Sequence, residues 1–252
     1  MKAPEIKAFV LSHANATTLP LNWRTALANR TLYVNSVANI SVSTDVFDAN
    51  SGVASYKIVL RGSVNLTENQ QSITSERRVV EETLLDLSKF ALVHNMTYTL
   101  SIEAIDRAGL HSTPLQAFLF VDDSPATPGK VLDGASEIVV HCQGSTRVIF
   151  VEWTSFLEPE TKVLFYQVAV ASAADPLQQD LAKFGEEVEA SQVSAYVELK
   201  PEVGNVLRPG DKIFVSIRAT NVAGLSSLAS SGPLNVSCAT QQCQCSGNVV
   251  CL

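Results

Sequence analysis

Histidine is the side chain that most often carries proton transfer near neutral pH, and this chain has four of them. They are dispersed, and none lies in a His-Glu-x-x-His, Gly-x-Ser-x-Gly or phosphate-cradling glycine motif. Catalysis needs a nucleophile beside a base, paired carboxylates in a cleft, or a set of metal ligands. We therefore interpret the histidines as surface or turn residues and expect a protein that is not an enzyme. The four are His13, His94, His111 and His141.

The five cysteines are the second candidate for chemistry, and four of them are clustered between residues 238 and 252. Their spacing, Cys-x4-Cys-x-Cys-x5-Cys, lacks the repeated Cys-x2-Cys pair of a structural zinc site. Such clustering favours disulfides formed in an oxidising compartment. An odd total indicates that at least one sulfur pairs elsewhere, so we expect a segment of a longer chain. The clustered cysteines are Cys238, Cys243, Cys245 and Cys251, and Cys142 stands apart.

Asparagine sequons are more frequent than chance allows. Six of the 13 asparagines begin an Asn-x-Ser/Thr sequence, where chance would give about two. Sequons at this density indicate a glycosylated surface and hence a secreted or cell-surface protein. The six are Asn15, Asn29, Asn39, Asn65, Asn95 and Asn235.

Charge and hydropathy limit the classes of partner. The formal net charge is −7, and the chain contains no run of Lys and Arg. Nucleic acid and anionic membranes both require clustered cations, so neither is expected as a partner. No apolar stretch is long enough to insert into a membrane, and the first residues lack the apolar region of a signal peptide.

The elements that must position these residues are β-strands. Apolar residues fall on alternate positions in short runs separated by turn residues, which predicts strands with one buried face. The runs recur as a repeat, offset by 115 residues in one region and by 110 in another. The equivalent stretches are Leu92–Ser112 with Leu207–Ser227, and Tyr56–Leu60 with Tyr166–Val170.

Prolines mark the boundary between the two copies. Pro125 and Pro128 fix the backbone and remove hydrogen-bond donors, which predicts a short, stiff, extended linker. We expect one β-sandwich over residues 1–123, a second over 124–237 and a cysteine-rich tail over 238–252.

The Asp175-Pro176-Leu177-Gln178 sequence also carries helix-start signals. We therefore predict a short helix over 176–184, inserted in the second module, with Leu177, Leu181 and Phe184 buried.

Several residues match a known family: Trp153, the Tyr166-x-Val168-x-Val170 strand, the strand from Ile213 to Ala219 and the turn Asn221-x-Ala223-Gly224-Leu225-x-Ser227. On these residues the second module resembles a fibronectin type III domain, and the first resembles the same superfamily. The resemblance covers most of the chain. It is specific for the fold but says little about function. Module one has no cysteine in the position of the immunoglobulin cross-sheet disulfide, and the Arg-Gly-Asp and Trp-Ser-x-Trp-Ser motifs are absent.

This resemblance implies specific roles for several residues. Tyr98 takes the place of the tyrosine-corner residue, whose hydroxyl ties its strand to the preceding turn, while Ile213 stands there in module two. In this fold Cys142 and Cys238 lie at one pole, which implies a Cys142–Cys238 disulfide, with pairing inside the tail as the alternative. Trp23 lies before the second strand of module one, where we expect it to cover the core rather than bind sugar.

Loop carboxylates raise the question of calcium, which prefers six to eight oxygen ligands. We expect no cofactor, with calcium as an open alternative at the joint, and we expect the acids of the Asp48–Gly52 turn and of the linker to be solvated. Asp45, Asp48 and Asp106 form a further acidic group at the outer pole of module one. The joint candidates are Asp122, Asp123, Glu158, Glu160 and Asn221.

Together these features predict an all-β protein of two tandem fibronectin type III-like sandwiches. We expect it to act as spacer and recognition surface within a large extracellular or cell-surface protein, binding other proteins or glycans. Module two carries a single sequon and is the expected binding half. Two alternatives stay open: a receptor whose ligand site is at the elbow between modules, and an accessory module of a secreted enzyme. An exposed aromatic patch at the elbow would favour the receptor.

Overall fold

The chain divides into two compact units, Met1–Ser124 with Val222–Leu225, and Pro125–Asn221 with Ser226–Leu252. Each has its own hydrophobic core. Among the described residues no helix has the length and apolar character that crossing a membrane requires. The computed structural model describes residues 3–13, 25–27, 30–48, 52–62, 71–75, 83–132, 137–143, 146–172, 179–199, 210–238, 244–245 and 249–250.

The first unit is built of strands in two sheets, with one short 3-10 turn at Leu87–Lys89. Its alternating sequence favours this outcome, because each strand can turn one face to the core and the other to water. The strands are β1 Glu5–His13, β2 Thr25–Leu27, β3 Thr31–Val34, β4 Asn39–Phe47, β5 Val53–Gly62, β6 Gln71–Ser75, β7 Thr83–Asp86, β8 Met96–Asp106 and β9 Leu115–Val121.

One sheet has the order β2-β1-β4-β7 and the other the order β3-β9-β8-β5-β6. Pairing is antiparallel except between β3 and β9, which run parallel with Leu32 opposite Leu119. Both of these leucines are fully buried, as are Ile40 on β4 and Leu100 on β8. Two sheets therefore enclose one core, as in a β-sandwich.

The second unit repeats this plan. Its strands are β10 Val131–Leu132, β11 Glu137–Gln143, β12 Thr146–Trp153, β13 Val163–Ala171, β14 Val188–Glu189, β15 Ser194–Leu199, β16 Lys212–Asn221, β17 Ser226–Ser230 and β18 Leu234–Cys238. The tail adds a two-stranded ladder, β19 Gln244–Cys245 with β20 Val249–Val250.

In this unit β12 is flanked by β15 on one side and by β11 and β10 on the other. The opposite layer contains β14, β13, β16 and β17. The last strand of the sandwich is divided at Ser231-Gly232-Pro233, where proline removes a ladder donor. Its second half, β18, pairs with β16 and also runs parallel to β11, so it connects the two layers.

Residues related by the 115-residue offset occupy equivalent places. Three pairs on β8 and β16 are completely buried, each in the core of its own unit. The glycines of the following turns, Gly109 and Gly224, both have positive φ, at 79° and 83°. Only glycine adopts this conformation without strain, so the repeat extends to the turn. The three pairs are Leu100 with Val215, Ile102 with Ile217, and Ala104 with Ala219.

Residues 179–184 of the predicted helix are not helical: the backbone there is irregular, and Gln179 has a φ of 41°. Ala182 forms a bridge with Val170 at the edge of β13, with both backbone hydrogen bonds made. Pairing with an open strand edge satisfies this backbone and overrides the local helix signals. Leu181 is buried in the core as predicted, whereas Phe184 is only partly buried. Residues 176–178, and Trp23, lie outside the described residues.

Candidate recognition surfaces

The structure describes the side chains of two histidines, His94 and His111, and both have partners within the protein. His111 Nδ1 lies 3.0 Å from Glu103 Oε1, and Glu103 also lies 3.8 Å from Lys57 Nζ. His94 Nδ1 accepts the Asp123 N–H at 3.0 Å. Each imidazole ring therefore contacts a neighbouring residue of the first unit. The side chains of His13 and His141 lie outside the described residues.

Asp106, at the end of β8, stabilises the turn that follows the strand. Its Oδ1 accepts the N–H groups of Ala108 and Leu110, both at 2.8 Å, so the carboxylate closes the turn that contains Gly109. Asp48, half-buried, follows β4, and the side chain of Asp45 lies outside the described residues. The turn contacts account for the buried Asp106 carboxylate without an ion.

The linker acids are bound to the first unit. Asp122 is buried, and its Oδ1 accepts both the N–H and the hydroxyl of Ser124 at 3.0 Å. Asp123 Oδ1 accepts the Ser36 N–H at 2.6 Å. The expectation that the linker acids are solvated is therefore wrong for Asp122. Hydrogen bonding to the ionised form is what allows a carboxylate to stay buried.

The remaining calcium candidates belong to the second unit. Asn221 Nδ2 donates to Glu158 Oε2 at 3.0 Å, and Glu158 Oε1 accepts the Glu160 N–H at 3.4 Å. These three residues therefore lie together in the second unit. Calcium binding by the five candidates stays an open alternative to the expected absence of a cofactor.

The sequons differ in exposure. Asn95 lies in the turn before β8 at φ 61° and is exposed, and Asn235 is exposed on β18. Asn39, the first residue of β4, is only partly exposed, and Ser41 of its sequon is buried. Asn15, Asn29 and Asn65 lie outside the described residues. Glycosylation stays a prediction, for which Asn95 and Asn235 offer the accessible described sites.

The backbones of two cysteines lie on neighbouring strands. Cys238 ends β18 opposite Val140 of β11, and Cys142 follows two residues later on β11. Cys245 lies in β19, while Cys243 and Cys251 lie outside the described residues. The Cys142–Cys238 disulfide stays a prediction.

A buried carboxylate holds the segment after β13. Asp180 accepts the Ser172 N–H at 2.8 Å on Oδ1 and the Ser172 hydroxyl at 2.6 Å on Oδ2. Burial disfavours the ionised form, but the hydrogen bonds from the Ser172 hydroxyl, the Ser172 N–H and its own backbone N–H outweigh it. They lower the pKa of Asp180 below its ordinary value. The contact anchors the segment that bridges Val170.

The outward surface of β16 and β17 carries an oriented guanidinium. Arg218 Nε and Nη2 donate to Gln167 Oε1 at 3.2 and 2.6 Å, and the guanidinium carbon lies 4.2 Å from the centroid of the Phe184 ring. Gln167 in turn donates to the Gly185 carbonyl at 2.9 Å. We name this the β17 face; its members are Gln167, Phe184, Arg218, Ser226, Leu228 and Ser230.

The chemistry of the β17 face suits recognition of an anion. Guanidinium groups bind carboxylates through paired hydrogen bonds, and the contacts with Gln167 and Phe184 fix the Arg218 side chain in advance. Leu228, opposite Arg218 in the ladder, remains 39% exposed and adds apolar area beside the charge. Exposed serines at Ser226 and Ser230 supply further hydrogen-bonding groups.

The opposite layer of the second unit presents an aromatic pair. Phe150 on β12 and Tyr196 on β15 are cross-strand partners with ring centroids 5.0 Å apart. Phe150 is 39% exposed and Tyr196 74%, and Leu132 is also exposed on neighbouring β10. We name these three residues the aromatic face. The three side chains form an exposed apolar patch, a kind of surface that can mark a binding site.

Sequence reasoning missed both faces. Alternation along β12 indicates that Phe150 points away from the core, since Ile149 and Val151 are buried. Its pairing with Tyr196, 46 positions later (196 − 150), depends on the register of β12 with β15. The Arg218–Phe184 contact likewise depends on the irregular path of residues 183–187. No local signal specifies either pairing.

Comparisons with known proteins agree with this architecture. No protein-family model matches the chain, and no curated protein matches it. The chain is nevertheless a pair of fibronectin type III-like β-sandwiches by fold. It is similar to the crystal structure of the chicken CNTN1 FN1-FN3 domains, with a TM-score of 0.50 and 12% identity. That match covers 92% of this chain and 63% of the other, so the chain spans less than two thirds of that structure.

A second structure shows a weaker likeness. It contains the fibronectin(III)-like modules of Clostridium thermocellum CbhA, with a TM-score of 0.37 and 12% identity over 90% of this chain and 92% of that one. The comparison with the CNTN1 domains shows the fold alone and carries no ligand or activity across. Function has to be argued from the surfaces.

Proposed function

We propose that this chain is a non-enzymatic segment of an extracellular or cell-surface protein, in which two β-sandwiches act as spacer and recognition module. The observation that carries the proposal is the repeated, separately closed core, with Leu100 and Val215 fully buried in equivalent positions. Sandwiches of this kind leave their strand edges, loops and sheet surfaces as the places where partners bind.

The recognition surface is the β17 face of the second unit. None of the six sequons lies on β13, β16 or β17. Asn235 on β18 lies opposite Lys212, six residues before Arg218 on β16, so its glycan would start well away from the guanidinium. Arg218 is held by Gln167 and Phe184, which reduces the entropy lost when it binds. The partner is a cell-surface protein or glycan that presents carboxylates, since these match the guanidinium in charge and geometry.

The extracellular assignment is tested by expressing the chain behind a secretion leader in cultured animal cells. We expect secreted, folded protein with sugar on at least one sequon, detected by mass spectrometry of glycopeptides. Retention inside the cell with every sequon unmodified would contradict this assignment. Folding is followed by far-UV circular dichroism.

The recognition role is tested by flow cytometry of cells incubated with the secreted chain. We expect Arg218→Ala to lower cell-surface binding by roughly tenfold or more, the loss of about 1.4 kcal/mol or more that a charged hydrogen bond contributes. Arg107→Ala, at an exposed arginine in the turn after β8, is the matched control and should bind as the original chain does. Equal binding by the original chain and both variants would refute the β17 face as the contact.

A further inference from the structure

The aromatic face and one sequon share a side of the same sheet. Phe150 alternates with the buried Ile149 and Val151, so it points away from the core of the second unit. Asn235 alternates with Leu234 and Val236, which are buried in that same core. Since β12, β11 and β18 are consecutive strands, Asn235 and Phe150 lie on the same outer surface.

The register gives their separation. Ile149 pairs with Val140, and Val140 pairs with Cys238, so these residues form a row across three strands. From that row, Phe150 is one residue along and Asn235 three residues along in the same direction. Two strand spacings and two residues of rise place the backbones of Asn235 and Phe150 roughly 12 Å apart. Tyr196, opposite Phe150 on β15, lies one strand spacing further, at roughly 16 Å. The branched core of an N-glycan can span both distances.

The two sites are chemically complementary. The apolar face of a pyranose ring presents C–H groups, which pack against the electron-rich faces of aromatic rings. Phe150 and Tyr196 form a platform with one apolar ring and one ring carrying a hydroxyl, suited to a sugar that also has hydroxyls to bond. Covering the pair removes exposed aromatic surface from water.

We propose that an N-glycan on Asn235 folds back over Phe150 and Tyr196 and covers the aromatic face. This inference rests on the extracellular, glycosylated part of the proposed function. It assigns the aromatic face to the chain's own sugar and not to a partner protein. A glycan that folds toward Phe150 is directed away from the β17 face.

The test measures how fast Tyr196 is nitrated by tetranitromethane in the secreted chain. We expect nitration of Tyr196 to be several-fold slower in the glycosylated chain than in Asn235→Gln, which cannot carry the sugar. Peptide mass spectrometry reads the rate at Tyr196 and the occupancy of Asn235 in the same digest. Asn95→Gln removes a sequon of the first unit and should leave the Tyr196 rate unchanged.

Variants of Ser237, the third residue of the Asn235 sequon, distinguish loss of the sugar from a folding defect caused by replacing Asn235. Ser237→Ala removes the sugar without changing Asn235 and should accelerate nitration as Asn235→Gln does. Ser237→Thr keeps the sequon and should retain protection. The inference would be overturned if Tyr196 were nitrated faster in Asn235→Gln but still slowly in Ser237→Ala, although the latter carries no sugar on Asn235.

The remaining outcomes separate this inference from the proposed function. A sugar present on Asn235 with equal Tyr196 rates in the original chain and Asn235→Gln would overturn the inference alone. So would secreted chain with sugar on other sequons and none on Asn235. Absence of sugar from every sequon would overturn both the inference and the extracellular assignment.

Discussion

The Tyr98 hydroxyl accepts the Val93 N–H at 2.8 Å and so ties β8 to the turn that precedes it. This contact confirms the tyrosine corner expected from the resemblance. In the second unit Ile213 occupies the equivalent position and is fully buried. Elsewhere in that unit, Tyr166 on β13 accepts the Phe156 N–H at 3.3 Å.

The first prediction concerns this corner. Tyr98→Phe removes only the hydroxyl, so we expect the free energy of unfolding of the first unit to fall by about 1 kcal/mol. Urea denaturation followed by circular dichroism measures the change. Tyr196→Phe is the matched control, because that ring is 74% exposed, and it should change stability by less than about 0.5 kcal/mol. Equal effects of the two substitutions would count against a stabilising corner.

The second prediction is a pH dependence centred on Asp180. Its pKa is lowered in the folded chain, so its contribution to stability is complete above the unfolded-state value of about 3.9 and disappears as pH falls through the folded value. At pH 7 we expect Asp180→Asn to lower the free energy of unfolding by about 1–3 kcal/mol, because the amide nitrogen cannot accept the Ser172 hydrogen bond. Denaturation curves between pH 7 and pH 2.5 measure the difference.

Ser172→Ala gives an internal comparison for Asp180. It removes the hydroxyl donor and keeps the carboxylate and the Ser172 N–H, so the pH dependence should become smaller without vanishing. If the difference between the original chain and Asp180→Asn were the same at both ends of the pH range, the assignment to this carboxylate would be wrong.

The third prediction tests whether the two units are separate domains. Ile102 and Ile217 are equivalent in the repeat and fully buried, so we expect alanine at either position to cost about 2–5 kcal/mol. Hydrogen–deuterium exchange should localise each effect, with Ile217→Ala accelerating exchange in β12 to β18 more than in β4 to β9. Ile102→Ala should show the reverse. Uniform acceleration over both sets of strands would argue for one cooperative domain.

The fourth prediction is the Cys142–Cys238 disulfide. Non-reducing peptide mapping of secreted chain should recover the two cysteines in one linked peptide pair. Because such a bridge closes a long loop, we expect mild reduction to lower the free energy of unfolding of the second unit by about 2–4 kcal/mol. The prediction would be wrong if Cys142 and Cys238 were both recovered as alkylated thiols, or if Cys238 were linked to a tail cysteine.

The buried strand faces were predictable from local alternation. Leu100, Ile102 and Ala104 follow one another at every second position, and the strand geometry alone places them on one side. The helix predicted over 176–184 does not form in its described part, residues 179–184, for the opposite reason. Its capping signals are local, whereas the bridge of Ala182 to Val170 depends on an open strand edge supplied by β13.

The sequence by itself determined the class of fold, the twofold repeat and the residues that form each core, because alternation and repeat spacing follow from the backbone of each strand. Only the tertiary structure decided that Asp122 is buried, that Phe150 meets Tyr196 and that Arg218 lies over Phe184. These relationships join residues from different strands or loops. Their register and packing are set by the whole sandwich, so no short stretch of sequence contains them.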